Sequence, residues 1–299
     1  MTVPLGAPSL PATRPDTALS PTLGVLTIAV TALTLTTSLL GLLAGWPYAA
    51  ETANWRLQAQ AQDLGNLPAV AVLLGGWLAA RRGSVRGVQA WLGALLYLAY
   101  AFALYAVGIH FGALFLPYVA VLGLSLYSAG FGMAPVAGRI RLGRAAARPA
   151  RVTLGVVSCL FAGLWLGGIA SALATGQTPG ELAETGLPSN PVHVLDLALV
   201  LPAMLLTAVR SGSHRRARFL LAPWLVFSTL MGASIVALMA LTAAPGPGLA
   251  IVGAVTVASG VAAVTTIRRT AELAAGRPGT ARRGDSADTA TETRQPSMG

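Results

Sequence analysis

Apolar runs of about 20 residues, each long enough to cross a bilayer as a helix, recur along the whole chain with short polar or arginine-bearing connections between them. The first covers roughly 22–46. Seven more follow: Leu64 to Arg81, Val88 to about Ile109, Ala113 to about Met133, Val152 to about Ala174, Asn190 to Arg210, Phe219 to about Thr242 and Leu249 to about Ile267. This pattern predicts an all-α fold, a polytopic transmembrane helix bundle of about eight helices that occupies residues 22–267 as one domain. Residues 1–21 carry Pro4, Pro8, Pro11, Pro15 and Pro21, and residues 268–299 mix Arg and acids with Gly, Thr, Ser and Pro. Both tails read as disordered.

Smaller patterns refine the runs. In the first, Gly24, Thr27, Thr31, Thr34, Ser38, Gly41 and Gly45 recur at three and four residues and form one stripe of small side chains. Such a stripe is either a close helix-packing face or the lining of a polar path. Gly163 and Gly167 have the GxxxG spacing of a close helix contact, within the chain or with a second copy in a homo-oligomer. Residues 47–63 read as a polar connection with a short interfacial helix anchored by Trp55. Asp63, Asn66 and Pro68 then suit the cap and first turn of the second span. Trp77 and Trp91 flank a tight turn at Arg81, Arg82 and Arg86, where interface anchors are expected.

Composition agrees: 55% hydrophobic and 10% charged residues is too apolar for a soluble domain of 299 residues. All of the positive charge is arginine, and the formal net charge is +10. Those arginines lie in short loops and not along one folded face, so they mark topology and not nucleic-acid binding. With eight spans, nineteen of the twenty fall on one side and only Arg56 on the other. The positive-inside rule then places both termini in the cytoplasm and the lipid-facing partners of the arginine loops among anionic headgroups. The lone Cys159 allows no disulfide within the chain and no zinc cluster.

Candidate chemistry is confined to a few polar side chains. His193 and Asp196 share one face of the sixth run at i, i+3 spacing. Asp196 is about 8 Å inward from Pro191 at 1.5 Å per residue, and an ionisable residue at such a position asks for a partner. Asp63 and His110 fall toward the same outer side, so the four residues are candidates for one polar, ion or substrate site. No cofactor or metal is indicated. Two or three such groups do not form a metal site, and a bis-His haem would require His110 and His193 to face one another. No HExxH, GxSxG, Walker or paired-glutamate motif is present, so no catalytic residue is assigned and an enzyme is the least favoured class.

The run from Arg86-Gly87 through Tyr97 to Tyr105, the segment Phe115-Leu116-Pro117-Tyr118-Val119 and the His193-Val194-Leu195-Asp196 motif are together similar to a family of uncharacterised bacterial multi-pass membrane proteins. The family's Asn beside the tyrosine of helix three and its Asn in the following hairpin correspond here to Ala101 or Phe102 and to Gly112. The resemblance implies a bacterial plasma-membrane protein and supplies no activity. Two function classes therefore stand: a transporter of a small solute, ion or proton through Asp196 and His193, and a sensory or partner-binding scaffold.

Overall fold

The computed structural model describes residues 19–133, 140–242 and 247–272. The disordered tails expected at 1–21 and 268–299, and the short link before the last span, lie largely outside these residues. Eight helical spans are long and apolar enough to cross a membrane. They are α1 (Pro21–Leu43), α2 (Ala53–Arg81), α3 (Val85–Gly108), α4 (Phe115–Met133), α5 (Arg144–Thr175), a sixth formed by α7 (Pro191–Leu195) and α8 (Leu201–Arg210), α9 (Arg215–Leu241) and α10 (Pro247–Arg269). A short surface helix, α6 (Gly180–Thr185), leads into the sixth span, and a two-residue antiparallel pair joins Ile140–Arg141 to Ala271–Glu272.

The second span is longer than the apolar run that marks it. It starts at Ala53, capped by the Thr52 hydroxyl, and Asp63, Asn66 and Pro68 lie inside it. The expected connection at 47–63 with an interfacial helix is therefore corrected: residues 53–63 are the first three turns of α2. Trp55 is buried, not interfacial, and its Nε1 donates to the Gly108 carbonyl at 2.6 Å. Trp91 is also no interface anchor. It is fully buried and donates to Thr27 Oγ1 at 2.9 Å. The fifth and seventh spans likewise begin earlier than their apolar runs, at Arg144 and Arg215, so their arginines lie on helix ends.

α3 is the central pillar, packed by α2, α4 and α9, with α1 closing the side between α2 and α4. Two glycines make the α2–α3 approach possible. A Cβ on Gly76 would come within 2.6 Å of the Trp91 backbone nitrogen, and one on Gly87 within 2.6 Å of the Ala80 nitrogen, so α2 and α3 touch backbone to backbone. Gly24, Thr27, Thr31, Thr34, Ser38 and Gly41 of the α1 stripe all face inward. Gly45 lies beyond the end of α1, and a Cβ there would meet nothing.

α5, α8 and α10 form an outer layer against α9. Side chains on their outward faces, among them Leu164, Leu173, Leu206 and Val257, are exposed as lipid-facing positions require. Gly163 and Gly167 belong to that outward face, with open space where a Cβ would sit. They make no close helix contact among the described residues.

The two ends of the bundle differ in charge. At one end, Arg86 donates to the Thr270 carbonyl, Arg151 to the Ala208 carbonyl and Arg218 to the Ser211 carbonyl, which ties the arginine-bearing helix ends together. At the other, Glu51 pairs with His110, and Thr52 and Asn54 bond to the Glu184 carbonyl and carboxylate.

Candidate functional site

The four polar residues singled out in the sequence do not meet in one place. His110 lies in the connection between α3 and α4 with its side chain 63% exposed, its Nδ1 3.0 Å from Glu51. Asp63 and Asp196 are buried in separate clusters on α2 and the sixth span.

Asp63 is enclosed by hydroxyls. Tyr48 donates to its Oδ2 at 2.7 Å and Tyr105 to its Oδ1 at 2.8 Å, with Ser38 beside them. Burial, with the Asp63 carboxylate next to it, pushes the Tyr48 phenol above the usual tyrosine range, so it remains a donor. Asn66, one turn on, donates to Ser38 Oγ at 2.9 Å. Tyr105 stacks on Tyr118, and Gly41 leaves the room that the Tyr48 and Asp63 side chains occupy. The cluster joins α1, α2 and α3 through buried side chains, which is the arrangement of a structural node.

Asp196 has a different setting. Asn190 caps the sixth span through the Val192 and His193 amides, and Pro191 takes the first helical position. One turn later the backbone widens into a π turn over Asp196–Val200, with the Leu201 amide reaching back to the Asp196 carbonyl. Pro202 follows at once. Its ring clashes with the carbonyl four residues earlier in a regular helix, and the wider turn relieves that crowding. His193 and Asp196 both rest on Trp165 of α5. The indole Nε1 donates to Asp196 Oδ2 at 2.8 Å, and the His193 ring lies 4.5 Å from the Trp165 ring, tilted by 41°. The Tyr100 hydroxyl faces the same carboxylate from α3. His193 Nδ1 is 3.6 Å from Glu181 of α6.

Asp196 is also on the wall of a cavity of about 290 Å³ enclosed by α2, α3, α5, the sixth span, α9 and α10. Its other polar wall residues are Gln58, Gln62, Ser228, Ser234 and Thr256, and the rest of the wall is largely aliphatic and aromatic. The polar residues near α9 form a relay: Gln62 donates to the Tyr97 hydroxyl at 2.6 Å, which bonds to Ser234 Oγ at 2.7 Å. Tyr105 reaches both clusters, lining the cavity and donating to Asp63. Asp63, His110 and His193 do not line the cavity. Sequence reasoning missed Trp165, Tyr100, Gln58 and Gln62. The polar positions Gln58 and Gln62, four apart, are a signal that α2 begins before its apolar run. Among the described residues no group of His, Cys, Asp or Glu has the arrangement of a metal site.

This is a multi-pass membrane protein with a polar-flecked cavity inside its helical bundle. No protein-family model, curated protein or solved structure matches the chain.

Proposed function

We propose that the chain is a bacterial plasma-membrane protein that binds a small solute in the cavity beside Asp196 and carries it across the membrane as a permease. The observation behind this reading is a buried carboxylate, with no basic group within ion-pair distance among the described residues, in the wall of an intramembrane cavity of about 290 Å³. Ionisable residues inside a membrane mark substrate, ion and proton paths. A largely apolar pocket with a few convergent polar groups is the usual form of a small-molecule site. The π turn that carries Asp196 supports the same reading, because such turns concentrate at functional sites. His193 braces the site by packing on Trp165.

Orientation follows from charge. The arginine-bearing end, with both termini, is cytoplasmic, and its guanidinium groups meet anionic lipid headgroups. The cavity, walled by the early turns of α2 and the late turns of α3, then lies in the outer half of the bundle. The His193-Val194-Leu195-Asp196 resemblance supports the bacterial setting. The outward Gly163 and Gly167 leave α5 free to pack against a second copy.

Thermal unfolding of the purified chain against a panel of small solutes tests the reading. A solute at about 100 times its Kd stabilises the folded state by about 2.7 kcal/mol. Wild type is expected to respond to at least one solute, and Val255→Trp, which fills the cavity, to none. A wild type that responds to no solute, with Asp196→Asn less stable in every condition, would mean that the Asp196 cluster only holds helices together.

A further inference from the structure

We infer that the cavity takes a small organic monocation, an ammonium group carried on an apolar body. This rests on the reading of the cavity as a small-molecule site. The wall supplies a charge, π faces and a shortage of other polar partners, and together these select one ligand class.

The charge is the Asp196 carboxylate. Trp165 Nε1 and the Tyr100 hydroxyl orient it, and both are neutral. Among the described residues, no arginine or histidine lines the cavity and no basic group lies within ion-pair distance of Asp196. His193, one turn away, directs its Nδ1 to Glu181. This carboxyl group is oriented by neutral donors, with His193 as its basic neighbour but no ion-pair contact, and a cation on the cavity side supplies that contact.

The π faces come from Trp55, Tyr100, Tyr105, Phe161, Trp165 and Phe227, all of which line the cavity. Several are held in place by contacts of their own. Trp55 is fixed by the Gly108 carbonyl, Tyr100 packs edge-on against Phe227 at 5.5 Å, and Phe161 tilts on Trp165 at 6.0 Å. Fixed rings around a desolvated site attract ammonium groups through their negative faces.

The remaining polar atoms are mostly committed. Ser228 and Thr256 donate to carbonyls of their own helices, and Gln62 and Ser234 are tied to Tyr97. Few donors remain to hold an anion or a polyhydroxylated solute. A hard inorganic cation prefers a shell of oxygens with more than one anionic ligand, and Asp196 is the only carboxylate among the described residues that line the cavity. A volume of about 290 Å³, at the small end for ligand pockets, sets the size of the guest.

The test titrates the purified full chain with 2-phenylethylamine, charged at neutral pH, and separately with 2-phenylethanol, its neutral counterpart. Binding is read by thermal stability and by the fluorescence of Trp55 and Trp165. The amine is expected to stabilise wild type saturably and to bind about tenfold more tightly than the alcohol, the scale of a desolvated cation–π and ion-pair contact. Asp196→Asn, which keeps an oxygen for Trp165, is expected to erase that preference. Phe227→Leu, which removes a ring and leaves the carboxylate, is expected to weaken the amine more than the alcohol. Equal binding of both probes to wild type, or an unchanged preference in Asp196→Asn, would overturn the cation assignment while leaving the cavity a small-molecule site. Failure of both probes to bind wild type, in a panel where no other solute binds, would overturn both readings.

Discussion

Gly65→Leu is expected to be among the most damaging single substitutions in the chain, lowering stability by about 3 kcal/mol or more. A Cβ at this position would overlap Ser234 Oγ and come within 2.6 Å of the Tyr97 hydroxyl and 2.8 Å of Ser234 Cβ. The nearest atoms are the Oγ and Cβ of Ser234, a short, buried side chain whose Cβ cannot move without its backbone. The substitution would push α2 away from α9 and break the relay from Gln62 through Tyr97 to Ser234. Both costs act together: an overpacked contact and the loss of the bonds from Gln62 through Tyr97 to Ser234. Gly65→Ala combined with Ser234→Gly is expected to recover part of the loss, since the second change removes the obstructing atoms. Thermal unfolding of the purified variants, compared with wild type in the same detergent, reads both effects. A fully stable Gly65→Leu protein would show that α2 and α9 do not pack as described.

Asp63→Leu is expected to cost about 3 kcal/mol, and Asp63→Asn substantially less. Leucine removes both acceptor oxygens. Tyr48, pushed up by burial and so kept as a donor, loses its 2.7 Å partner in a buried site, and Tyr105 keeps the Ala59 carbonyl at 3.2 Å as an acceptor and Asn66 Nδ2 at 3.5 Å as a donor. Asparagine retains one acceptor oxygen and nearly the same shape. This node is structural, so neither variant is expected to change the preference of the cavity for one solute over another. Asp196→Asn is expected to do the reverse, altering ligand preference more than stability. The contrast separates two acids that look alike in the sequence, and unfolding and ligand titration of the same three proteins measure it.

The eight spans are legible in the sequence because six of the seven connections interrupt long apolar runs with arginine, proline or acids, and the other, between α3 and α4, is marked by His110 and Gly112. The start of α2 is not. Its buried positions there include Gln62, Asp63 and Asn66 beside Trp55, Ala59, Ala61 and Gly65, so these strongly polar side chains are turned to the protein interior. Hydropathy read along the chain counts those residues as a loop, although the bundle around them provides the partners that water would otherwise supply. The caps of α5 and α9 are hidden for a related reason, since arginines on a helix end look like a solvated connection. In the sixth span the i, i+3 relation of His193 and Asp196 holds, and both touch one indole. That indole is 31 residues away in sequence at Trp165, and no periodicity points to it. His110 illustrates the opposite limit. Its place between two spans is correct from the sequence, but its largely exposed ring and its backbone amide both bond to the buried Glu51 carboxylate and not to Asp63 or Asp196.

Accessibility of the cavity to solutes is best measured by cysteine modification. Cys159, the lone and exposed cysteine, is first replaced by serine, and cysteine is then introduced at Ser228 on the cavity wall or at Ser38 beside Asp63. The reagent is 2-aminoethyl methanethiosulfonate, a small cation. The expected result is rapid modification of Ser228→Cys, slowed by 2-phenylethylamine, and no modification of Ser38→Cys. An unreactive Ser228→Cys, or equal reaction at both positions, would contradict a solute-accessible site beside Asp196.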